Sequence, residues 1–194
     1  MFLGSVDVSS MDLTDEVKKE LAELSKLQVY VGIPDGNGRG DGGGITNAEL
    51  LYVHTHGVRQ KVMRDIMNPV VESGQMTYSQ AYAMWMLAHG SPLWASPPRP
   101  VIEPAIEHDQ DVVARQLRKV IEAVLDGRDP RPELELAGML GQTIARDWFT
   151  NPDNGWAPNA PQTIGEKGSD RPLIDTGELR RAITYVISEG GDNG

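Results

Sequence analysis

The stretch that most constrains this chain is Trp156-Ala-Pro158-Asn-Ala-Pro161-Gln-Thr163-Ile164-Gly-Glu-Lys167-Gly168, followed by Pro172-Leu173-Ile174-Asp175-Thr176-Gly177-Glu178-Leu179 and the run from Ile183 to Ile187. Its first half holds too many Pro, Gly and Asn residues for a helix or a central strand. It nevertheless carries Trp156, Ile164, Leu173 and Ile174, which a solvated linker has no reason to contain. We therefore expect a loop pinned to a core. Asp175 or Thr176 then caps a short helical turn by accepting backbone N–H bonds, with Glu178 reaching back to complete a capping box. The chain leaves through a β-prone strand at 183–187.

A second constrained run is Ser96-Pro97-Pro98-Arg99-Pro100-Val101-Ile102-Glu103-Pro104. Its prolines preset an extended path, and Pro104 suits the first turn of a helix, where its missing N–H is not needed. Arg99 stands on this stiff backbone and loses little entropy on pairing, so we read it as a salt-bridge donor inside the fold or across an interface.

The other segments read as follows. Val6 to Val8 is a short edge strand. Val17, Leu21 and Leu24 lie on one face of an amphipathic helix at about 13–26 that packs on the core. Residues 28–33 alternate as a strand with Val29, Val31 and Ile33 on one face. Thr46 and Glu49 form a capping box for a helix that stops near Gly57, and a further helix runs from about Thr77 to Gly90. The two helix ends, Tyr52 to Gly57 and Trp85 to Gly90, resemble one another, and the second is the one followed by Pro97 to Pro100. Between them, 58–76 reads as a hairpin-like excursion turning at Asn68-Pro69. Long helices are expected at 104–126 and 133–149, and residues 188–194 as a flexible tail.

The loop at 35–44 is almost all Gly and Asp. A calcium loop starting at Asp35 would place Arg39 and Thr46 at ligand positions, and a phosphate loop needs a Gly-Lys-Ser/Thr that is absent. The Arg39-Gly-Asp41 triplet is too short to carry an argument in such a loop. We read a surface loop with almost nothing to bury, which a neighbour would have to order. His54 and His56 fall on different faces of a helix, and no His-Glu-x-x-His pattern occurs. We name no catalytic, metal or cofactor residue.

Acidic residues outnumber basic ones by 28 to 18, a net charge of −10, which argues against a sequence-independent grip on nucleic acid. There is no Cys, so packing and partners must supply stability. No run is apolar and long enough to span a membrane, and the N-terminus lacks a signal pattern, so the chain is expected to be cytosolic when made.

The pattern W-x-P-x4-T-I-x-x-K-G, then P-L-I-D-T-G-x-L and I-T-Y-V, resembles the C-terminal signature of the tail-completion and neck proteins of tailed bacteriophages. The Pro-x-Arg-Pro run beginning at Pro97 resembles a second element of that virion-morphogenesis family. The resemblance covers about 29–57 and 85–187, with 58–76 as an insertion. It implies a non-enzymatic virion subunit at the head-proximal end of the tail or in the head–tail neck. Such a subunit works as a ring of copies beside tail, neck or connector proteins, without sequence-specific nucleic-acid contact. It also implies interface or structural roles for Arg99, Pro100, Trp156, Leu173, Ile174, Asp175, Thr176, Gly177 and Leu179. A minor capsid or scaffold-associated protein and a small metal-dependent hydrolase built on His54, His56 or His89 are the rival readings. The expected architecture is one α+β domain over 1–187. Its small, mostly antiparallel sheet, including 28–33 and 183–187, packs against the two long helices, with extended loops.

Overall fold

A computed structural model describes residues 14–34, 36, 44–90 and 94–189. Most of the glycine-rich 35–44 loop, the strand expected at Val6–Val8 and residues 190–194 lie outside the described residues; Ser188 and Glu189, expected in a flexible tail, instead end the last strand. The fold is α+β. Strand β1 (Leu27–Gly32) pairs antiparallel with the last strand, β4 (Thr184–Glu189), from Leu27 opposite Glu189 to Gly32 opposite Thr184. Alternation decides the faces: Val29, Val31, Tyr185 and Ile187 are half-buried, whereas Tyr30 and Val186, opposite each other, are exposed.

Helix α7 (Arg131–Asp147) lies on this sheet, and helix α6 (Gln110–Leu125) packs on α7 rather than on the strands. Only one of the two long helices therefore covers the sheet. The reason is the small-residue face of α7. At Gly138 a Cβ would lie 2.2 Å from the Tyr185 ring, and at Gly141 one would lie 2.8 Å from Val31 Cγ2. The strands approach α7 where it has no side chain, and a bulkier helix would hold them off. The helix expected at 104–126 is broken at Asp109 into α5 (Ile102–His108) and α6. Helix α1 (Asp15–Leu24) is capped by Thr14 and packs on α6 with no fully buried residue, a peripheral position rather than the core one expected.

Thr46 and Glu49 form the expected capping box at the start of α2 (Asn47–His56), and Gly57 ends the helix. Strand β2 (Val58–Arg59) follows. The hairpin expected at 58–76 is instead the helix α3 (Lys61–Glu72), and Asn68-Pro69 lies inside its last turns. Met63 and Met67, one helical turn apart and both buried, carry the helical pattern that a turn at Asn68-Pro69 overlooks. Helix α4 (Tyr78–His89), with its own capping box of Thr77 and Gln80, returns the chain to β3 (Trp94–Ser96), which pairs with β2. The α3–α4 pair is thus an excursion that leaves and re-enters at one small sheet, larger than the 58–76 segment. Its helices have their own core of Met63, Met67, Ala81 and Trp85. At its base the Arg59 guanidinium sits 3.4 Å over the centroid of the Trp94 ring and 4.9 Å from that of Tyr82.

The main core gathers Leu51, Val101, Ala105, Ile144, Ala145, Trp148, Phe149, Leu179 and Ile183, with Trp156, Leu173 and Ile174 packed against it. The C-terminal segment is therefore pinned as expected, with one difference. Residues Pro161–Lys167 form a helix, α8, which Pro161 starts and left-handed Gly168 ends, so its prolines and glycines bound a helix rather than forbid one. Ile164 lies on the exposed side of α8 and takes no part in the pinning.

Candidate functional site

The two constrained runs meet. The Pro97–Pro100 run has no regular secondary structure, and the Arg99 N–H donates to the His54 carbonyl at 2.7 Å, which ties the run to the end of α2. The Arg99 side chain, 6% exposed, reaches across to the loop before α8. Its Nε and Nη2 donate to the Ala157 carbonyl at 3.1 and 2.9 Å, and Nη2 also donates to that of Pro158 at 3.1 Å. In return the Trp156 indole N–H donates to the Pro100 carbonyl at 3.0 Å, and its ring meets Phe149 edge-on. The salt bridge expected of Arg99 is therefore replaced by a fork on main-chain carbonyls. A loop framed by Pro158 and Pro161 leaves its carbonyls outside any ladder, and a planar guanidinium matches such acceptors. Burial pushes the Arg99 pKa down from its ordinary value, although a guanidinium remains charged.

Leu173 holds a left-handed backbone, φ 58°, while its side chain packs on the core. Helix α9 (Glu178–Ala182) follows. Gly177, φ 75°, takes its N-cap position, and the Glu178 N–H bonds to the Thr176 hydroxyl at 3.3 Å. The expected capping box is not made: Gly177 stands at the N-cap, where it has no side chain to accept a bond, Thr176 one residue earlier accepts from the first helical N–H, and Asp175 is exposed. The Thr176 carbonyl accepts from Arg181 Nη1 at 3.0 Å. Leu179 and Ile183 then plug the core.

Above the Arg99 fork lies a groove of about 590 Å³ between α2, β3, α8 and the 173–179 turn. Six of the residues expected to matter line it: Arg99, Leu173, Asp175, Thr176, Gly177 and Leu179. Pro100, Trp156 and Ile174 are not among its lining residues, and Trp156 and Ile174 pack against the core. Sequence reasoning missed Asn47 and Asn159, both buried at the groove, the latter donating from Nδ2 to the Asp170 carbonyl at 3.2 Å. The available signals were an Asn inside a capping box and an Asn between two prolines. Lys167, Asp175 and Glu178 bring both signs of charge to the groove wall. Such a surface suits polar, peptide-like contact better than a highly charged ligand.

The histidines are spread out. His56 Nδ1 lies 2.9 Å from the Tyr52 carbonyl, and His89 Nδ1 lies 3.2 Å from that of Trp85. His108 sits beside Trp148 and Asp109. Among the described residues no three His, Asp or Glu side chains converge in a way that could hold a metal ion, and no helix is long and apolar enough to cross a membrane. No family model, curated protein or solved structure matches this chain.

Proposed function

We propose that this protein is a structural subunit of a tailed-phage virion, closing the head-proximal end of the tail or lying in the head–tail neck, and that it acts by assembling as a ring. The observation that carries the reading is the cross-brace of Arg99 on Ala157 and Pro158 and of Trp156 on Pro100. The two runs that resemble the virion-morphogenesis family are distant in sequence, yet they form one unit. In that unit the resembling residues hold backbone in place, which supports a structural role.

Identical subunits surround an axis by closed cyclic symmetry. A charge of −10 per copy disfavours trapping of a passing genome, and salt screens that repulsion over roughly 10 Å at 0.1 M. The same charge keeps the isolated protein largely monomeric at low salt, so assembly takes place on a tail or connector template. The test is localisation. Antibody-labelled imaging of intact particles should mark the neck or tail end, and the protein should copurify with tails. Label on the head shell, with copurification in head fractions, would replace this reading with that of a minor capsid protein.

A further inference from the structure

The α3–α4 excursion carries a surface that the groove over Arg99 does not use. Beside the Met63/Met67/Trp85 seam runs an almost wholly apolar trough of about 210 Å³, walled by Ile66, Val70, Met76, Met84 and Trp85. Val62, Ile66, Met84 and Leu87 on the same helices are exposed, Leu87 by 88%. A contiguous apolar patch of this kind marks an interaction site on a soluble protein. Five of the eight methionines, at 63, 67, 76, 84 and 86, belong to this excursion. Unbranched, polarisable side chains of this type mould themselves to an incoming helix face.

Charge decides the occupant. Residues 58–90 hold Arg59, Lys61 and Arg64 against Asp65 and Glu72, a net +1, so the rest of the chain carries −11 of the total −10. Two bodies of this chain repel each other, whereas the excursion of one copy is drawn to the body of another. A contact between two unlike patches is the heterologous kind that generates rings. The body offers a matching stripe on α7, where Leu136 and Met139, three residues apart, are both about half exposed and follow first turns that hold Glu133 and Glu135 against Arg131.

We propose that the trough of the α3–α4 excursion seats the Leu136/Met139 stripe of a second copy, head to tail. The basic start of α3, Lys61 and Arg64, then lies toward the partner's acidic α7. The contact rests on the ring reading above, for which it names the two surfaces. Because the chain has no Cys, two single substitutions test it cleanly: Met84→Cys in one preparation and Met139→Cys in a differently tagged one. Both sites are exposed, and thermal melts establish that both variants are folded. After mixing under mild oxidation, the mixed 84–139 disulfide should make up well over half of all cross-links. Adding Lys61→Glu and Arg64→Glu to the Met84→Cys chain should cut its rate of formation several-fold. A statistical mixture of the three products would overturn the proposal, and a dominant 84–84 product would overturn it in favour of a two-fold contact. The readout is independent of the virion: a head-to-tail cross-link in a protein missing from purified particles would sink the virion reading and leave this contact standing.

Discussion

Two helix ends in this chain are near copies and have opposite fates. Tyr52 to Gly57 closes α2 and Trp85 to Gly90 closes α4. In each an aromatic residue is followed four positions later by His and then by Gly. Both histidines fold back on the aromatic ring, His56 tilted by 31° on Tyr52 at 4.0 Å between centroids and His89 stacked on Trp85 at 3.7 Å. Local chemistry is therefore the same. The surroundings are not: a Cβ on Gly57 would lie 2.8 Å from the Pro98 nitrogen, the Ser96 carbonyl oxygen and Trp94 Cζ3, whereas one on Gly90 would meet nothing within 4 Å. In sequence the second end leads toward the Pro97–Pro100 run, but in space the first end receives it. A repeated motif reports how a helix stops, and the long-range partner determines whether the stop is a junction or a free end.

The largest test of this contrast is a pair of alanines. Gly57 has φ 72° and ψ 173°, a region almost reserved for glycine, and it faces backbone atoms that cannot yield, so Gly57→Ala should cost about 3 kcal/mol or more. Gly90→Ala, left-handed but in open space, should cost about 1 kcal/mol. Equal losses in thermal melts would break the comparison. Next, Arg99→Lys keeps the charge and removes the fork, at a cost of about 2 kcal/mol. Hydrogen exchange should quicken in α2 and in the 156–160 loop while the amides of α3 and α4 stay protected, and uniform acceleration would show that the two regions are not separate.

Leu173 sharpens the contrast further, because it is a non-glycine residue in the conformation that Gly57 and Gly90 avoid straining. Leu173→Ala should cost about 2 kcal/mol from lost packing. Leu173→Gly should cost about 1 kcal/mol less than Leu173→Ala, the reverse of the usual order, because it releases the left-handed strain. At the neighbouring cap, Thr176→Ala should cost about 0.5–1 kcal/mol and Asp175→Ala almost nothing.

The smallest effect lies at the other ends of the same two helices. The α2 capping box uses Glu49 and that of α4 uses Gln80. Hydrogen bonds from the Thr46 backbone N–H and hydroxyl hold the Glu49 carboxyl below its ordinary value of 4.5. A depressed carboxylate contributes stability that is fully present above its unfolded pKa and lost as pH falls through its folded one. Acidification through and below the ordinary carboxylate range should therefore loosen the first turn of α2 and spare that of α4. Amide exchange at Glu49 and Leu50 against Gln80 and Ala81 measures this, and Glu49→Gln should abolish the difference.

Short-range signals were legible in the sequence. Thr46 and Glu49 and the alternation at Val29 and Val31 follow from local pattern, as does the pinning of Trp156, Leu173 and Ile174. What was not legible depends on partners far along the chain. Arg99 was expected to meet a carboxylate because charge is the usual guide, but the acceptors are carbonyls freed by prolines 58 and 59 residues later. Proline misled twice, at Pro69 and at Pro161, because the packing of Met63 and Met67 and the position of Pro161 at a helix start outweigh its reputation as a breaker. The groove could not be read at all, since its walls come from four separate stretches.

The Arg99 fork also bears on the order in which the molecule assembles itself. It closes a loop of 58 residues, and by chain statistics that closure costs roughly 3–4 kcal/mol before any bond is made. Helices α5 to α7, all within the loop, pack on one another through near-neighbour contacts that have no need to wait for it, although α7 also carries the strands β1 and β4 from outside the loop. The fork should therefore form late in refolding, and it should be among the first long-range links to let go on the way out. A protease that cuts between Trp156 and Pro161 would act as a clock for that last step, sampling the open form while the helical body is still intact.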